Sequence, residues 1–568
     1  MVLDAAALLQ YACEKFEMRQ YDEALDAFIF AYNKGYEQDW VLQNIYSCYM
    51  QGNEEEFKKI YQTHRMSKKL SYTDCLLDFI PYKDGEYYVF DKERKLFVDR
   101  LSIAEIENAQ LDPMLKEVEF SAVVTELDWN LKLMIPILAE KSKRKIYIVC
   151  HDLKRFMSYW KIPEMSEYLE RVYVFRSREE MQQYFHENTA EYLPRIPYGN
   201  EKIQNALKKI IDEEHQYRLT PEGRNTSNVL LTIGIPTHDR GHLALQNVKN
   251  LLTMSYDSEI EILVSKNGTS LYQEEYQAIG DILDARLRYV DHNQELSMQI
   301  SWKNTIELAN GKYVLLLSDE DHVKLEALEH YLEVIQNNPQ VSLMRARSVV
   351  QYPNIDTKQL AKGVEAFTES FLGQFYGSGA IIKKECFVKL PFKKIEKFAV
   401  DNEFYHYYCH EWWFALLNFE GDYRCDSECL IEEGDSALQQ EMEMMKKCGK
   451  QIEGYKQESG LYYYARYESR LEQFKGYIQF IHLLENKGVN VVESGLITSI
   501  WKTGHLIQMA YYAGYSRSRV GKVLKKYNEL CIEAINEFSL SDKQKEGLIR
   551  YSMNYILQIA EKIKEEKV

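Results

Sequence analysis

The chain has 568 residues, of which 45% are hydrophobic and 28% charged, and its formal net charge is −17. This length exceeds what one hydrophobic core usually organises, so we expect several folded domains and no wholesale disorder. The acidic balance disfavours a nucleic-acid partner, because no broad basic surface is on offer for phosphates. No apolar run reaches the roughly 20 residues that span a bilayer. The first ten residues have no basic lead-in, unlike a signal peptide, so we expect a cytoplasmic protein.

The N-terminal segment, residues 1–66, carries apolar residues at helical spacing. Tyr21, Ala24, Phe28 and Ala31 form a stripe that resembles the second helix of a tetratricopeptide repeat, and Gly35 is placed to end that helix. The sequence contains one such repeat and a fraction, fewer than the roughly three that make a stable solenoid. We predict a helical, tetratricopeptide-like hairpin. It either packs on the next domain or forms a peptide-binding groove.

Residues 67–200 predict a small α/β accessory domain. A hairpin is expected first, and its two strands are Glu86–Asp91 and Lys95–Arg100. Three apolar strands alternating with helices follow, as in a parallel sheet, and they are Ser121–Thr125, Lys145–Cys150 and Arg171–Phe175. We find no glycine-rich phosphate loop here, so a structural or acceptor-binding role is the default.

Two further regions are predicted to be helical. Residues 201–227 read as a helix, Lys202–Tyr217, followed by a polar linker. Residues 441–568 predict a helical bundle, whose candidate helices are Tyr455–Leu484, Val492–Ala513, Arg517–Phe538 and Asp542–Glu565. Such a bundle can form a homo-oligomer contact or seat an acceptor, and the sequence does not choose between them.

Residues 228–440 show the strongest pattern. Buried-type strands are predicted at Val229–Ile235, Glu259–Val264, Leu287–Val290 and Tyr313–Leu317. Three of them run into polar loops, which contain Thr237 to Arg240, Lys266 with Asn267, and Asp319 to Asp321. In an α/β sheet the carboxyl ends of the strands are where ligands bind. We therefore expect these loops to form one site.

The three consecutive acids of the last loop are the clearest chemical signal. Asp319, Glu320 and Asp321 repel one another, so the arrangement needs a cation or full solvation. Hard oxygen ligands suit Mg²⁺ or Mn²⁺ bridging a diphosphate, and such an ion neutralises charge on a departing nucleoside diphosphate. The alternative is a solvated acidic loop, which the position after a buried strand makes less favourable.

In the order of these motifs the region resembles the family 2 glycosyltransferases. The segments that carry the resemblance are Thr232–Arg240, Glu261–Gly268, Lys303-Asn304 with Ala309–Tyr313, Val314–Asp321, Gly377–Lys383 and Tyr408–Leu417 with Gly421. The resemblance implies an α/β catalytic domain of the GT-A fold, which is a Rossmann-like nucleotide-diphospho-sugar transferase fold. Together with the flanking regions this predicts a GT-A domain, a small α/β domain and helical N- and C-terminal regions.

The resemblance also implies residue roles. Nucleotide-sugar binding falls to Pro236, Thr237, Arg240, Lys266, Asn267 and Asp319, and metal binding falls to Asp321. One departure matters, because Lys266 stands where the family often has an aspartate that reads the base. A lysine cannot accept a hydrogen bond from a base N–H. Either Asn267 takes that task or Lys266 grips phosphate, which leaves the base identity open.

Inverting members of the family use a carboxylate as general base within hydrogen-bond reach of the acceptor hydroxyl. By motif position the candidate here is Glu411, and Asp401, followed by Glu403, is the alternative. An acid favoured by the helix dipole is the structural alternative for Glu411. His410 is expected to be a neighbour or an acceptor contact rather than the base.

The sequence thus predicts a metal-dependent, inverting hexosyltransferase that uses Mn²⁺ or Mg²⁺. The favoured donor is a UDP-sugar, with UDP-N-acetylglucosamine or UDP-glucose leading. The expected acceptor is a hydroxyl on a protein or glycoconjugate, such as a bacterial surface or flagellar protein, an inference that rests on fold analogy. A non-catalytic adaptor with the same fold, binding a partner protein through its helices, is the alternative. A nucleotidyltransferase is a second alternative, disfavoured because His238–Gly241 is a poor glycine-rich basic loop.

Overall fold

The structure is a computed structural model. It describes residues 4–110, 112–116, 120–138, 144–268, 272–373, 376–400, 402–434, 466–512 and 514–565. These form two compact units, Met1–Arg218 and Leu219–Val568. In the described residues no helix is both long enough and apolar enough to cross a membrane.

The first unit begins with four α-helices, which are Ala5–Glu17, Tyr21–Asn33, Gln38–Ile45 and Glu54–Thr63. The helical prediction for this segment is confirmed, and Gly35 follows the second helix with a φ of 81°. Identity as a tetratricopeptide repeat stays a prediction. The helices pack through buried apolar side chains such as Ala24 and Phe28 into the same core as the sheets that follow.

Two sheets complete this unit. The first is antiparallel, in the order β1-β2-β3, with strands β1 (Leu77–Lys83), β2 (Glu86–Asp91) and β3 (Leu96–Ser102). The second is parallel, in the order β6-β5-β4-β7, with strands β4 (Val123–Leu127), β5 (Ile146–Cys150), β6 (Val172–Phe175) and β7 (Ile196–Tyr198). Its larger α-helices are Arg178–Glu187 and Glu201–Arg218. The predicted hairpin and parallel sheet are therefore present, with β1 and β7 added.

The second unit is built on a nine-stranded mixed sheet in the order β10-β9-β8-β11-β15-β13-β16-β12, with β14 paired to β16. Its strands are β8 (Leu231–Thr237), β9 (Ile260–Lys266), β10 (Leu287–Asp291), β11 (Tyr313–Leu316), β12 (His322–Val323), β13 (Val341–Ser348), β14 (Lys358–Leu360), β15 (Ala380–Lys383) and β16 (Asp422–Glu432). Strands β10, β9, β8 and β11 run parallel to one another, so their carboxyl ends share one edge.

Helices flank this sheet. They are Gly241–Leu251, Gln273–Gly280, Met298–Leu308, Leu328–Asn337, Val364–Gly373, Phe392–Ala399 and Glu403–Leu417. β8 and β9 are buried along their whole length, as continuous apolar runs in a parallel sheet are expected to be.

The C-terminal region is helical, as predicted. Its long helices are Tyr467–Leu484, Val489–Tyr512, Val520–Glu537 and Asp542–Glu565. The N-terminal part of the first predicted helix, residues 455–465, lies outside the described residues. Trp412 on the helix Glu403–Leu417 packs against Phe480 of the first C-terminal helix, with ring centroids 4.9 Å apart. The bundle and the sheet therefore share one core.

Candidate functional site

The three acidic residues lie at the shared carboxyl edge, directly after β11. Asp319 and Asp321 are buried. The side chain of Asp319 accepts hydrogen bonds from Thr237 Oγ1 at 2.8 Å and from Arg240 Nη1 at 2.9 Å. Because β8 pairs with β11, the loop after one strand meets the loop after the other. The structure thus brings Thr237, Arg240 and Asp319 together, as the expected common site requires.

The three acids of this cluster, Asp319, Glu320 and Asp321, differ in their contacts and in their pKa shifts. Arg240 Nη1 also donates to Glu320 Oε2 at 2.7 Å, so one guanidinium serves two acids. Burial, followed by the neighbouring Asp319, raises the pKa of Glu320 to about 7. Burial also raises the pKa of Asp321 to about 6. In the described residues the Asp321 carboxylate has hydrogen bonds from the hydroxyls of Tyr376 and Ser378 and from the backbone N–H of Gly434, none of which is a cation.

This donor set fits a divalent cation that is shared with a ligand. Hard carboxylate oxygens suit Mg²⁺ and Mn²⁺, and Mg²⁺ is usually held through one or two carboxylates plus substrate phosphates. Within the described ranges no group of three or more His, Cys, Asp or Glu side chains could hold a metal ion by itself. Among the described residues, Asp321 is the buried acid of the three for which no ion pair is present. The arrangement therefore suits an ion completed by phosphate oxygens.

Asp321 is held by a short segment before β15. Tyr376 Oη donates to Asp321 Oδ2 at 2.5 Å. Arg345, buried on β13, donates to the carbonyl of Ser378 at 2.8 Å and to that of Tyr376 at 2.9 Å. A Cβ on the intervening Gly377 would lie 2.2 Å from the Trp302 ring, so only glycine fits. These contacts fix where the Tyr376 hydroxyl lies.

The ends of β9 and β10 carry a second polar group at the same edge. Lys266 is buried at the end of β9, and its Nζ donates to Asp291 Oδ2 at 2.7 Å. Asn267 donates from Nδ2 to the carbonyl of Leu296 and accepts at Oδ1 from the N–H of Leu296, at 2.7 and 2.6 Å. The Asn267 amide thus braces the neighbouring loop. Pro236 lies buried in β8, opposite Ser265 of β9.

Glu411 is placed elsewhere. It lies on the helix Glu403–Leu417, is 1% exposed, and its Oε2 is 2.9 Å from Nζ of Lys502, whose side chain is 0% exposed. Burial raises the pKa of Glu411 and lowers that of Lys502, while each charge opposes the shift of the other. The Lys502 ammonium also donates to the carbonyl of Phe371 at 3.2 Å. Glu411 therefore faces the C-terminal helices.

His410, one position earlier on the helix, faces the other way. Its ring centroid is 5.6 Å from that of Trp302, and Gly377 lies against it. Neither ring nitrogen has a hydrogen-bond partner among the described residues. Burial lowers the pKa of His410 to about 3, so the ring is neutral. Asp401, the alternative base, lies outside the described residues.

Several residues of this region were not singled out from the sequence. They are Asn247, Tyr276, Asp291, Arg345 and Lys502. The available signal was weak, since each is an ordinary polar residue in its local pattern. Lys502 is the exception, because it is a lone charge within the apolar run Leu496–Ala510.

Residues 232–412 match the model of the family described as Glycosyl transferase family 2. This stretch contains the strands β8 to β11 and the acid cluster, and the predicted α/β fold class is confirmed over it. No curated protein sequence matches the chain.

Solved structures similar to the chain include S. aureus TarS and the mannosyltransferase PcManGT from Pyrobaculum calidifontis. The crystal structure of S. aureus TarS 1-349 is 9% identical, covers 60% of this chain and 91% of its own, and has a TM-score of 0.37. The same protein in complex with UDP-GlcNAc is 10% identical, with 60% of this chain and 91% of that chain covered and a TM-score of 0.36. The mannosyltransferase PcManGT from Pyrobaculum calidifontis, in complex with GDP-Man and Mn²⁺, is 12% identical, with 60% of this chain and 88% of that chain covered and a TM-score of 0.30.

Proposed function

We propose that the chain is a metal-dependent glycosyltransferase that moves a sugar from a nucleotide-sugar donor to a hydroxyl acceptor with inversion. The observation that carries the proposal is the assembly of Thr237, Arg240 and Asp319 beside Asp321 at the carboxyl edge of a family 2 domain. A cation there, Mn²⁺ or Mg²⁺, would neutralise charge on the departing diphosphate. Asp321 is the residue that would hold it.

The donor lies along the sheet edge in this proposal. Strands stand about 4.8 Å apart, so β9 lies roughly 10 Å from β11, which is the scale of a nucleoside diphosphate. With the diphosphate at Asp321, the nucleoside extends over Thr237 of β8 towards Lys266 of β9. Lys266 and Asn267 then flank the base or its ribose. A UDP-sugar is the favoured donor, on the family's frequency alone.

Inversion needs a group that takes the proton of the acceptor hydroxyl as its oxygen bonds to the anomeric carbon and the carbon–diphosphate bond breaks. We propose Glu411 for this role, since its motif position supports it and a neighbouring Lys502 favours the ionised, proton-accepting form. Its burial weighs against the role, because the acceptor must come within hydrogen-bond reach. Asp401 remains the alternative.

We propose that the acceptor is a hydroxyl on a protein or glycoconjugate and that the first unit helps to recognise it. We propose a cytoplasmic location for the enzyme. The adaptor alternative requires no donor chemistry. It predicts that UDP does not bind in a Mn²⁺-dependent manner.

The experiment that tests the proposal is isothermal titration of UDP with and without Mn²⁺, followed by nucleotide release from a panel of nucleotide sugars. Asp321→Ala should abolish metal-dependent UDP binding and turnover while the fold persists, because it removes the ligand and relieves carboxylate repulsion. Asp356→Ala, an exposed acid in another loop, is the matched control. Unchanged Mn²⁺-dependent affinity in Asp321→Ala would refute the metal assignment.

A further inference from the structure

The Arg240 side chain stands inside the acid cluster. Its Nη1 lies 2.9 Å from Asp319 Oδ1 and 2.7 Å from Glu320 Oε2, so one donor atom bridges two carboxylates. The guanidinium is partly buried, with its side chain 27% exposed. A positive group that bridges two acids of a triplet is placed as a bound cation would be. Arg240 thus acts as an internal counter-ion.

The cluster has other fixed contacts that keep the acids in place. Thr237 Oγ1 donates to Asp319 Oδ2 and also contacts the hydroxyl of Tyr276 at 2.7 Å. Asn247 Nδ2 donates to the backbone carbonyl of Asp319 at 2.8 Å. Movement of Arg240 would therefore leave the Asp319 backbone and one carboxylate oxygen held. The acids stay in position while their counter-ion is exchanged.

Arg240 is also well placed to leave the acids for a phosphate. It directly precedes the eleven-residue helix Gly241–Leu251, whose N-terminal end carries the positive end of the helix dipole. A guanidinium binds phosphate in a bidentate manner, and a diphosphate offers more negative oxygens than one carboxylate. A diphosphate at this edge therefore competes with Asp319 and Glu320 for the same side chain.

We propose that Arg240 couples metal binding to nucleotide binding by exchanging partners: it neutralises Asp319 and Glu320 in the empty site and turns to the diphosphate when the nucleotide binds, which restores the negative charge beside Asp321, where the cation binds. The inference rests on the proposed function, because it assumes a nucleotide and a metal at this edge. It differs from simple phosphate binding, since Arg240 then opposes the metal until the nucleotide arrives.

The consequence is a coupling that works in both directions. If nucleotide raises the affinity for Mn²⁺ by some factor, Mn²⁺ raises the affinity for nucleotide by the same factor. Couplings of this kind are typically about 5- to 150-fold. The site then takes up metal poorly without nucleotide, and Arg240 sets that preference.

The test measures Mn²⁺ binding without nucleotide, from the loss of the free-ion signal in electron paramagnetic resonance, on the full chain. Arg240→Met should bind Mn²⁺ alone about tenfold more tightly than wild type, because the variant lacks the positive charge that neutralises Asp319 and Glu320 beside Asp321. The factor by which Mn²⁺ tightens UDP binding should fall towards one. Arg240→Lys keeps the positive charge and should bind Mn²⁺ alone no more tightly than wild type.

Controls separate charge from site. Lys389→Met removes an equal charge from an exposed pair with Glu385 and should leave both affinities unchanged. Should Arg240→Met fail to fold, judged by circular dichroism, Arg240→Gln carries the same test.

The outcomes separate this inference from the proposed function. Equal or weaker Mn²⁺ binding by Arg240→Met, with metal-dependent UDP binding intact in wild type, overturns the inference alone. If wild type shows no Mn²⁺-dependent UDP binding yet Arg240→Met gains Mn²⁺ affinity, the proposed function fails while the counter-ion role stands. Loss of UDP affinity by the same factor with and without Mn²⁺ would mean a phosphate contact only.

Discussion

The buried pair between Glu411 and Lys502 allows a prediction in depth. In Lys502→Met the carboxylate of Glu411 stays buried without its cation, because Met fills roughly the volume of the lysine stem. Breaking a buried pair by removing one partner costs about 3–5 kcal/mol. The upper end is limited because Glu411, whose pKa burial already raises, can protonate.

The cost should be visible as a drop in the melting temperature of the second unit. Domains of roughly 150–250 residues lose about 2–4 °C per kcal/mol, and this unit is larger, so we expect a drop of about 5–10 °C. Glu411→Gln should lose a similar amount, since it removes the carboxylate that neutralises the buried Lys502 ammonium. The double variant removes both charges and should recover most of the loss, a coupling of at least about 2 kcal/mol.

The same cycle separates a structural role of Glu411 from a catalytic one. If Glu411 is the general base, the double variant regains stability while turnover stays about 10²–10⁴ below wild type. We expect that result. Turnover that returns together with stability would make Glu411 a structural residue and shift the base assignment to Asp401. If the loss of stability in the double variant equalled the sum of the losses in the two single variants, the energetic coupling itself would be refuted.

Three further predictions follow from the site and the fold. Tyr376→Phe should weaken Mn²⁺-dependent UDP binding about tenfold, because it removes a hydrogen bond to the charged Asp321, typically worth about 1.5–3 kcal/mol. Titration of UDP with and without Mn²⁺ checks this prediction, and an unchanged UDP affinity without metal is the internal control. Mn²⁺-dependent UDP binding should fall as the pH drops through about 6, since Asp321 must be ionised to bind metal and its raised pKa means that this carboxyl is half protonated there; an affinity that stays the same from pH 5 to 8 would contradict this. A chain starting at Leu219 should retain donor hydrolysis yet lose transfer to its natural acceptor. This cut keeps Arg224, which donates to the carbonyl of Asp257 at 2.7 Å within the second unit. Full transfer by the folded truncation would contradict an acceptor role of the first unit.

Elements with a strong periodic pattern were predictable from the sequence. The apolar runs of β8 and β9 and the helix Asp542–Glu565 lie where the pattern places them, within a few residues. Several strands were missed, among them β1, β7, β13 and β16, and for the first two the reason is local. β1 contains Pro81, which argues against a strand, and β7 has three residues including Pro197.

The site was predictable only as far as it is local in sequence. The loop after β11 can be recognised in the sequence, because three acids follow an apolar strand. The supporting contacts of the site come from distant segments, such as Arg345 on β13 and Asp291 at the end of β10, which pairs with Lys266, and no periodicity links them. Motif position identified Glu411, but which side of a helix faces the site depends on packing. His410 and Glu411 point in different directions although they are adjacent.

The ion pair also bears on the order in which the chain is made. Glu411 leaves the ribosome about ninety residues before Lys502, on which its neutralisation depends. At roughly 5–20 residues per second this is a delay of several seconds, during which the helix Glu403–Leu417 must keep its carboxylate hydrated or protonated. Final packing of that helix against the sheet therefore follows synthesis of Val489–Tyr512, and a chain stopped before Lys502 is expected to remain unfinished and prone to aggregate.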